Sequence, residues 1–126
     1  MDDITDFIVG RIGSITALPI TTRQSINGVG IRITEIPEPT IRMDMNGYSA
    51  KETSFIRIEI ITPITANKPD EWASIHTNLK GLMRTPIILN GVTYYISTVN
   101  KVPASIIKDK WQNHGIDIVV YYFTNT

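Results

Sequence analysis

The chain has 126 residues, no cysteine, and twelve Lys plus Arg against twelve Asp plus Glu. That length suits one domain spanning 1-126, in which about two-thirds of the unfolded surface can be buried, so a core needs neither disulfide nor metal. Zero net charge gives no general attraction to nucleic acid or to an anionic membrane, and the lack of Cys excludes disulfides, thiolate metal sites and cysteine nucleophiles.

Hydrophobic residues make up 42% and charged residues 19%, the balance of a globular protein. The start, Met1-Asp2-Asp3, is acidic where a signal peptide is basic. The longest apolar run, Ile118 to Phe123, is far short of the ~20 residues a membrane span requires. The expectation is a soluble protein made in a cytoplasm. Isoleucine is the commonest residue, Thr is plentiful and Leu is scarce. β-branched residues fit a pleated sheet better than a helix, so strands should dominate.

Asp3 to Ser14 reads as a helix. Ile4, Phe7, Ile8, Ile12 and Ile15 make one apolar stripe, and Asp2, Asp3 and Asp6 crowd the end where the helix dipole favours anions. Leu18 to Gln24 reads as a short strand that Pro19 places at an edge or strand start. Asn27-Gly28 signals a turn. Val29, Ile31 and Ile33 alternate with Gly30, Arg32 and Thr34, and Ile41, Met43 and Met45 alternate with Arg42, Asp44 and Asn46, giving two half-buried strands separated by Pro37-Glu38-Pro39. Asn46 to Glu52 is polar and reads as a loop.

Thr53 to Thr62 is a strong strand, with Ile56, Ile58 and Ile60 on one face and Arg57 and Glu59 on the other. Pro69-Asp70-Glu71 opens a second helix, and Trp72, Ile75, Leu79, Leu82 and Met83 form its apolar face before Thr85-Pro86 stops it. Ile87-Ile88-Leu89, Asn90-Gly91 and Val92 to Ile96 form the clearest hairpin. Ala104 to Asp109 reads as a weaker strand or irregular segment. Lys110 to Gly115 is polar apart from Trp111 and reads as a turn. Ile116 to Phe123 is the last strand, apolar on both faces from Ile118 onward. That pattern suits a central strand, or one whose outer face is covered by a partner. The fold class that follows is α+β: an antiparallel-rich β-sheet with two α-helices packed on one face.

A search for chemistry gives little. His76 sits at the edge of a helix stripe, and no second or third ligand stands at metal-binding spacing. His114 falls in a Gln-Asn-His-Gly turn, exposed and available to a partner. Glu35 and Glu38 flank Pro37 in a solvated loop, and Asp70 and Glu71 complement a helix dipole. No G-x-S-x-G and no phosphate-binding glycine loop is present, and Gly28-Val29-Gly30 is a turn. No catalytic, cofactor or metal site emerges. Arg32, Arg42 and Arg57 each occupy a polar position in a β alternation. They can share one sheet face with Thr34, Asp44 and Glu59, either as a solvated mixed-charge face or as a subunit interface or DNA-facing surface. Tyr94, Tyr95, Tyr121 and Tyr122 could stack bases, but lie in strands where packing explains them.

The order of elements carries a resemblance. Phe55-Ile56-Arg57-Ile58-Glu59-Ile60 leads into a Pro-Asp-Glu-Trp helix start and a Leu-Lys-Gly-Leu helix end. Ile-Ile-Leu-Asn-Gly-Val-Thr-Tyr-Tyr-Ile follows, then Pro103, Lys108-Asp109, a polar turn and Ile118-Val119-Val120-Tyr121-Tyr122-Phe123. Over residues 52–126 this resembles the tail terminator proteins of long-tailed bacteriophages, often labelled minor capsid proteins. Residues 1–51 agree only in a helix followed by strands. The resemblance implies a non-enzymatic virion subunit, made in the bacterial host cytoplasm, that assembles into a homo-hexameric ring at the head-proximal end of the tail. Such a ring caps the tube of major tail tube protein, halts its growth and presents a surface to the head-connector protein, with DNA passing only in transit. It brings no catalytic residues. Trp111 and His114 fill the position of a hairpin turn, where an exposed Trp can anchor a partner. The alternatives are another head-tail connector or neck protein of the head-completion kind, and a small ligand-binding domain. The contact candidates are therefore Arg32, Arg42, Arg57, Glu59, Trp111 and His114.

Overall fold

The structure is a computed structural model and describes residues 3–22, 29–36, 50–65, 69–107 and 110–124. Its elements are α1 (Asp3–Gly13), β1 (Ile20–Thr21), β2 (Gly30–Ile36), β3 (Ala50–Pro63), α2 (Asp70–Lys80), β4 (Ile87–Leu89), β5 (Val92–Ile107) and β6 (Trp111–Thr124). The strands form one six-stranded sheet in the order β1-β2-β3-β6-β5-β4. Only the β1–β2 pair is parallel, and the other pairs are antiparallel. The strand expected over 41–45 lies outside the described residues, as do Arg42 and Asp44.

Alternation sets the two faces of the sheet. Ile31 and Ile33 register with Ile60 and Ile58, and Ile56 and Ile58 register with Ile118 and Ile116. Val120 and Ile118 register in turn with Ile96 and Val99. These residues make one layer, and onto it pack Ile4, Ile8 and Ile12 of α1 and Ile75 and Leu79 of α2. Both helices therefore lie on the same face, as the alternation implied. Ile4, Ile8, Ile12, Ile31, Ile58, Ile75 and Ile116 are at most 1% exposed. Each such side chain contributes roughly 1.5–3 kcal/mol through burial.

The local signals explain the boundaries. Pro69 caps α2 from the extended region, φ −69° and ψ 137°, and Asp70 and Glu71 fill the first turn. The helix ends at Lys80 rather than running on to Met83. Leu82 N–H bonds to the Leu79 carbonyl and Met83 N–H to that of Lys80, a tightened turn that still lays Leu82 and Met83 against the core. Asn90 at φ 50° and Gly91 at φ 79° give the hairpin turn its two left-handed residues.

Two readings are corrected at the strand ends, and for Ala104 to Asp109 the strand alternative holds as far as Ile107. Ala50 to Glu52 belong to β3, pairing with Thr124 to Tyr122. Ala104 to Ile107 continue β5, with register shifts between Ile96 and Thr98 and between Val102 and Ser105. Pro103 sits at the second shift, where a missing N–H does no harm. Lys110 is a turn residue, but Trp111 to Gly115 are not: β6 begins at Trp111, and Trp111 and His114 are strand residues. Their polarity misleads because much of it is engaged within the sheet. Gln112 Nε2 donates to the Pro63 carbonyl at 3.0 Å, and Asn113 Nδ2 donates to Glu59. His114 is 4% exposed rather than solvent-facing, its ring edge-on to Trp72 at 4.8 Å. β6 lies between β3 and β5, the central position its apolar run suggested.

Truncating Ile58 in the middle of this layer should lower unfolding stability by about 2–5 kcal/mol. Ile88→Ala, at a side chain 70% exposed, should stay within about 0.5 kcal/mol of the parent. Denaturant titration of both variants checks the pair.

Candidate functional site on the open face of the sheet

The face turned away from the helices carries the other alternation set. Arg32 registers with Glu59 and Thr34 with Arg57. Arg57 registers with Asp117, and Glu59 with Gly115. Among the described residues both helices lie on the opposite side, so these side chains form a surface without a helical cover. Two ion pairs organise it. Arg32 donates through Nε at 2.8 Å and Nη2 at 2.7 Å to Glu59 Oε1. Arg57 holds Asp117 with two parallel bonds, Nε to Oδ1 at 2.8 Å and Nη2 to Oδ2 at 3.0 Å. Its bond to the Asp117 carboxylate holds the Arg57 guanidinium more firmly protonated than a free arginine, against a smaller opposing effect of burial.

The two pairs differ in setting. Glu59 is 8% exposed and also accepts a bond from Asn113. Beside it Gly115 leaves no side chain, and a Cβ there would meet Val102 Cβ at 3.2 Å. The Arg57–Asp117 pair is looser, with side chains 44% and 28% exposed. Around the charges lie half-buried Phe55, Val119, Tyr95 and Tyr121, and the two tyrosine rings stack at 5.3 Å. Arg32, Thr34, Ile36, Arg57 and Glu59 line a shallow depression of about 200 Å³. Glu59 and Asp117, the carboxylates of the charged cluster among the described residues, are each engaged by a guanidinium. The arrangement offers balanced charge, aromatic area and a fixed shape, the ingredients of a protein contact.

Of the candidates, Arg32, Arg57 and Glu59 come together on this face. Trp111 registers with Pro63 on the same face, half-buried and further along β6. His114 does not join them. It lies under α2, where Trp72 donates Nε1–H to the Gly115 carbonyl at 2.8 Å and Lys101 Nζ stands 4.8 Å over the Trp72 ring. Arg42 lies outside the described residues. Asp117 and Asn113 complete the charged cluster. The sequence signal for Asp117 is an acid set between Ile116 and Ile118 at the start of the apolar half of β6. Glu35, read as a loop residue, lies within β2 next to its last residue and accepts a bond from Thr5 at 3.2 Å. Among the described residues no group of three metal-ligating side chains occurs, and no helix is long and apolar enough to cross a membrane.

No family model matches the chain, and no curated protein matches it. One solved structure, which carries no descriptive name, is similar over 96% of this chain and 87% of its own, with TM-score 0.57 and 17% identity. At that identity the likeness concerns the fold alone.

Arg32→Met should cost about 2–3 kcal/mol because it leaves the enclosed Glu59 carboxylate with Asn113 alone. Arg57→Met should cost less than about 1 kcal/mol, since its partner reaches solvent. Chemical denaturation of the two variants reads the difference. A separate expectation concerns His76. Its proton affinity lies below the usual 6.5, chiefly through burial and then through the Lys101 charge, with a hydrogen bond to the Val99 backbone opposing. The unfolded chain therefore takes up this proton first on acidification. Stability should fall as pH drops through the window below 6.5, and His76→Gln should flatten that part of the profile.

Proposed function

We propose that the chain is a structural virion subunit of the tail-terminator kind. It closes into a ring, most simply a hexamer, that caps the tail tube, stops its elongation and offers a surface to the head connector. The observation that supports this reading best is the open sheet face. Half-buried aromatic side chains there surround two internally balanced ion pairs beside a shallow depression of about 200 Å³. A broad face of that chemistry suits a neighbouring protein better than a small substrate, which calls for a concave apolar site with convergent polar groups. Balanced charge also suits a subunit past which DNA travels without being gripped. The order of elements over residues 52–126 supplies the particular assembly.

Sedimentation and negative-stain images of the concentrated protein should show a closed ring. Added to growing tail tubes, the protein should bind one end and fix tube length. Tubes that reach normal length without it, together with a chain that neither forms rings nor binds tube ends, would refute the proposal.

A further inference from the structure

The two ends of the sheet carry exposed apolar groups that the core among the described residues does not take in. At one end Ile88, in the outermost strand β4, is 70% exposed. Ile88, Leu89 and Asn90 line a depression of about 430 Å³ together with Asp6 and Phe7 of α1. At the other end Ile106 is 68% and Ile64 is 41% exposed. These two belong to one tip: Ile106 registers with Gln112, Gln112 with Thr62, and Ile64 N–H bonds to the Lys110 carbonyl. Ile88 registers with Thr93 near the start of β5, and Ile106 lies near its end. At a strand rise of about 3.3 Å per residue the two sites stand up to roughly 40 Å apart.

Among the described residues each end also carries one exposed charge, of opposite sign. The depression is bordered by Asp6, and the tip by Lys110, both exposed. A projecting apolar tip with a cation and an apolar hollow with an anion complement each other, but they cannot meet within one chain. We infer that they meet between chains: the Ile64–Ile106 tip of one copy seats in the Phe7–Ile88 hollow of the next, with Lys110 beside Asp6. This inference rests on the ring reading and names its contact. The contact joins unlike surfaces, so it repeats head to tail and closes when the rotation per subunit permits. By alternation Ile88 shares its parity with Thr93 and Tyr95, so the contact takes in the β4 corner of the open face and leaves the Arg32–Glu59 and Arg57–Asp117 pairs clear of it. The β5 edge itself is unsuited to pairing with a further strand, because the two register shifts and Pro103 interrupt its ladder.

Head-to-tail contact has a signature that a two-fold contact lacks. Ile106→Asp spoils the tip and keeps the hollow, and Ile88→Asp does the reverse. Each variant alone should associate about 30-fold or more weakly than the parent, the loss of a central anchor. Mixed in equal amounts, the two should form a one-to-one dimer and nothing larger, because a single sound contact remains between them. Circular dichroism confirms that both variants are folded, as expected for side chains so exposed. Lys110→Asp should weaken assembly, and combining it with Asp6→Lys should recover part of the loss. Parent-sized rings from either single variant, or a mixture without the dimer, would overturn the contact while leaving a ring built from other surfaces. A parent chain that stays monomeric at every concentration would overturn the contact too, and the tube-length experiment then decides separately whether the ring reading survives.

Discussion

The register between β3 and β6 is the constraint on which the rest depends. Ile56 opposite Ile118 and Ile58 opposite Ile116 place an unbroken isoleucine layer under both helices. The same register sets Arg57 opposite Asp117 on the far face, where the two form a doubly bonded pair. Side chains alternate with a period of two, so a slip of one residue would turn toward the helices either Arg57 and Glu59 or Asp117, according to which strand moved. Buried charges facing apolar helix stripes would be heavily penalised. Apolar packing on one side and ion pairing on the other thus specify a single alignment, and neither side alone would fix it as firmly.

Beyond Ile116 the sheet changes character. The isoleucine layer gives way to His114, and α2 answers with Trp72 instead of an aliphatic residue. The indole is held by its bond to the Gly115 carbonyl and covered by Lys101. Gln112 and Asn113 are tied across to β3. This polar half keeps the strands paired out to Pro63 and Trp111, next to the tip that carries Ile64 and Ile106.

Most of the fold was legible from periodicity. The Ile4–Ile8–Ile12 stripe, the alternation through Ile31–Ile33 and Ile56–Ile60, and the Asn90-Gly91 turn each state a local rule that the chain obeys. Trp111 to Gly115 were misread for a definite reason. Gln112, Asn113 and His114 look like turn residues because their partners, Pro63, Glu59 and Trp72, lie about 40 to 55 positions earlier in the chain. Only the tertiary register brings them together. The open-face cluster was half legible for the same reason. Arg32, Arg57 and Glu59 were marked by parity, whereas Asp117 needed the β3–β6 alignment before it could be recognised as the partner of Arg57.

A mixed-charge, aromatic sheet face without a helical cover is the physical basis for reading the chain as part of a larger particle. Side-chain oxidation footprinting of the free subunit and of the subunit bound at tail-tube ends tests that most directly. Tyr95, Tyr121 and Phe55 are half-buried in the free chain and accessible to reagent from the open side. The account predicts that their labelling falls sharply on assembly, while residues on the outer surface of α2 such as Ala73 and Thr77 change little. Undiminished labelling of the three aromatic residues in the assembled particle would contradict it.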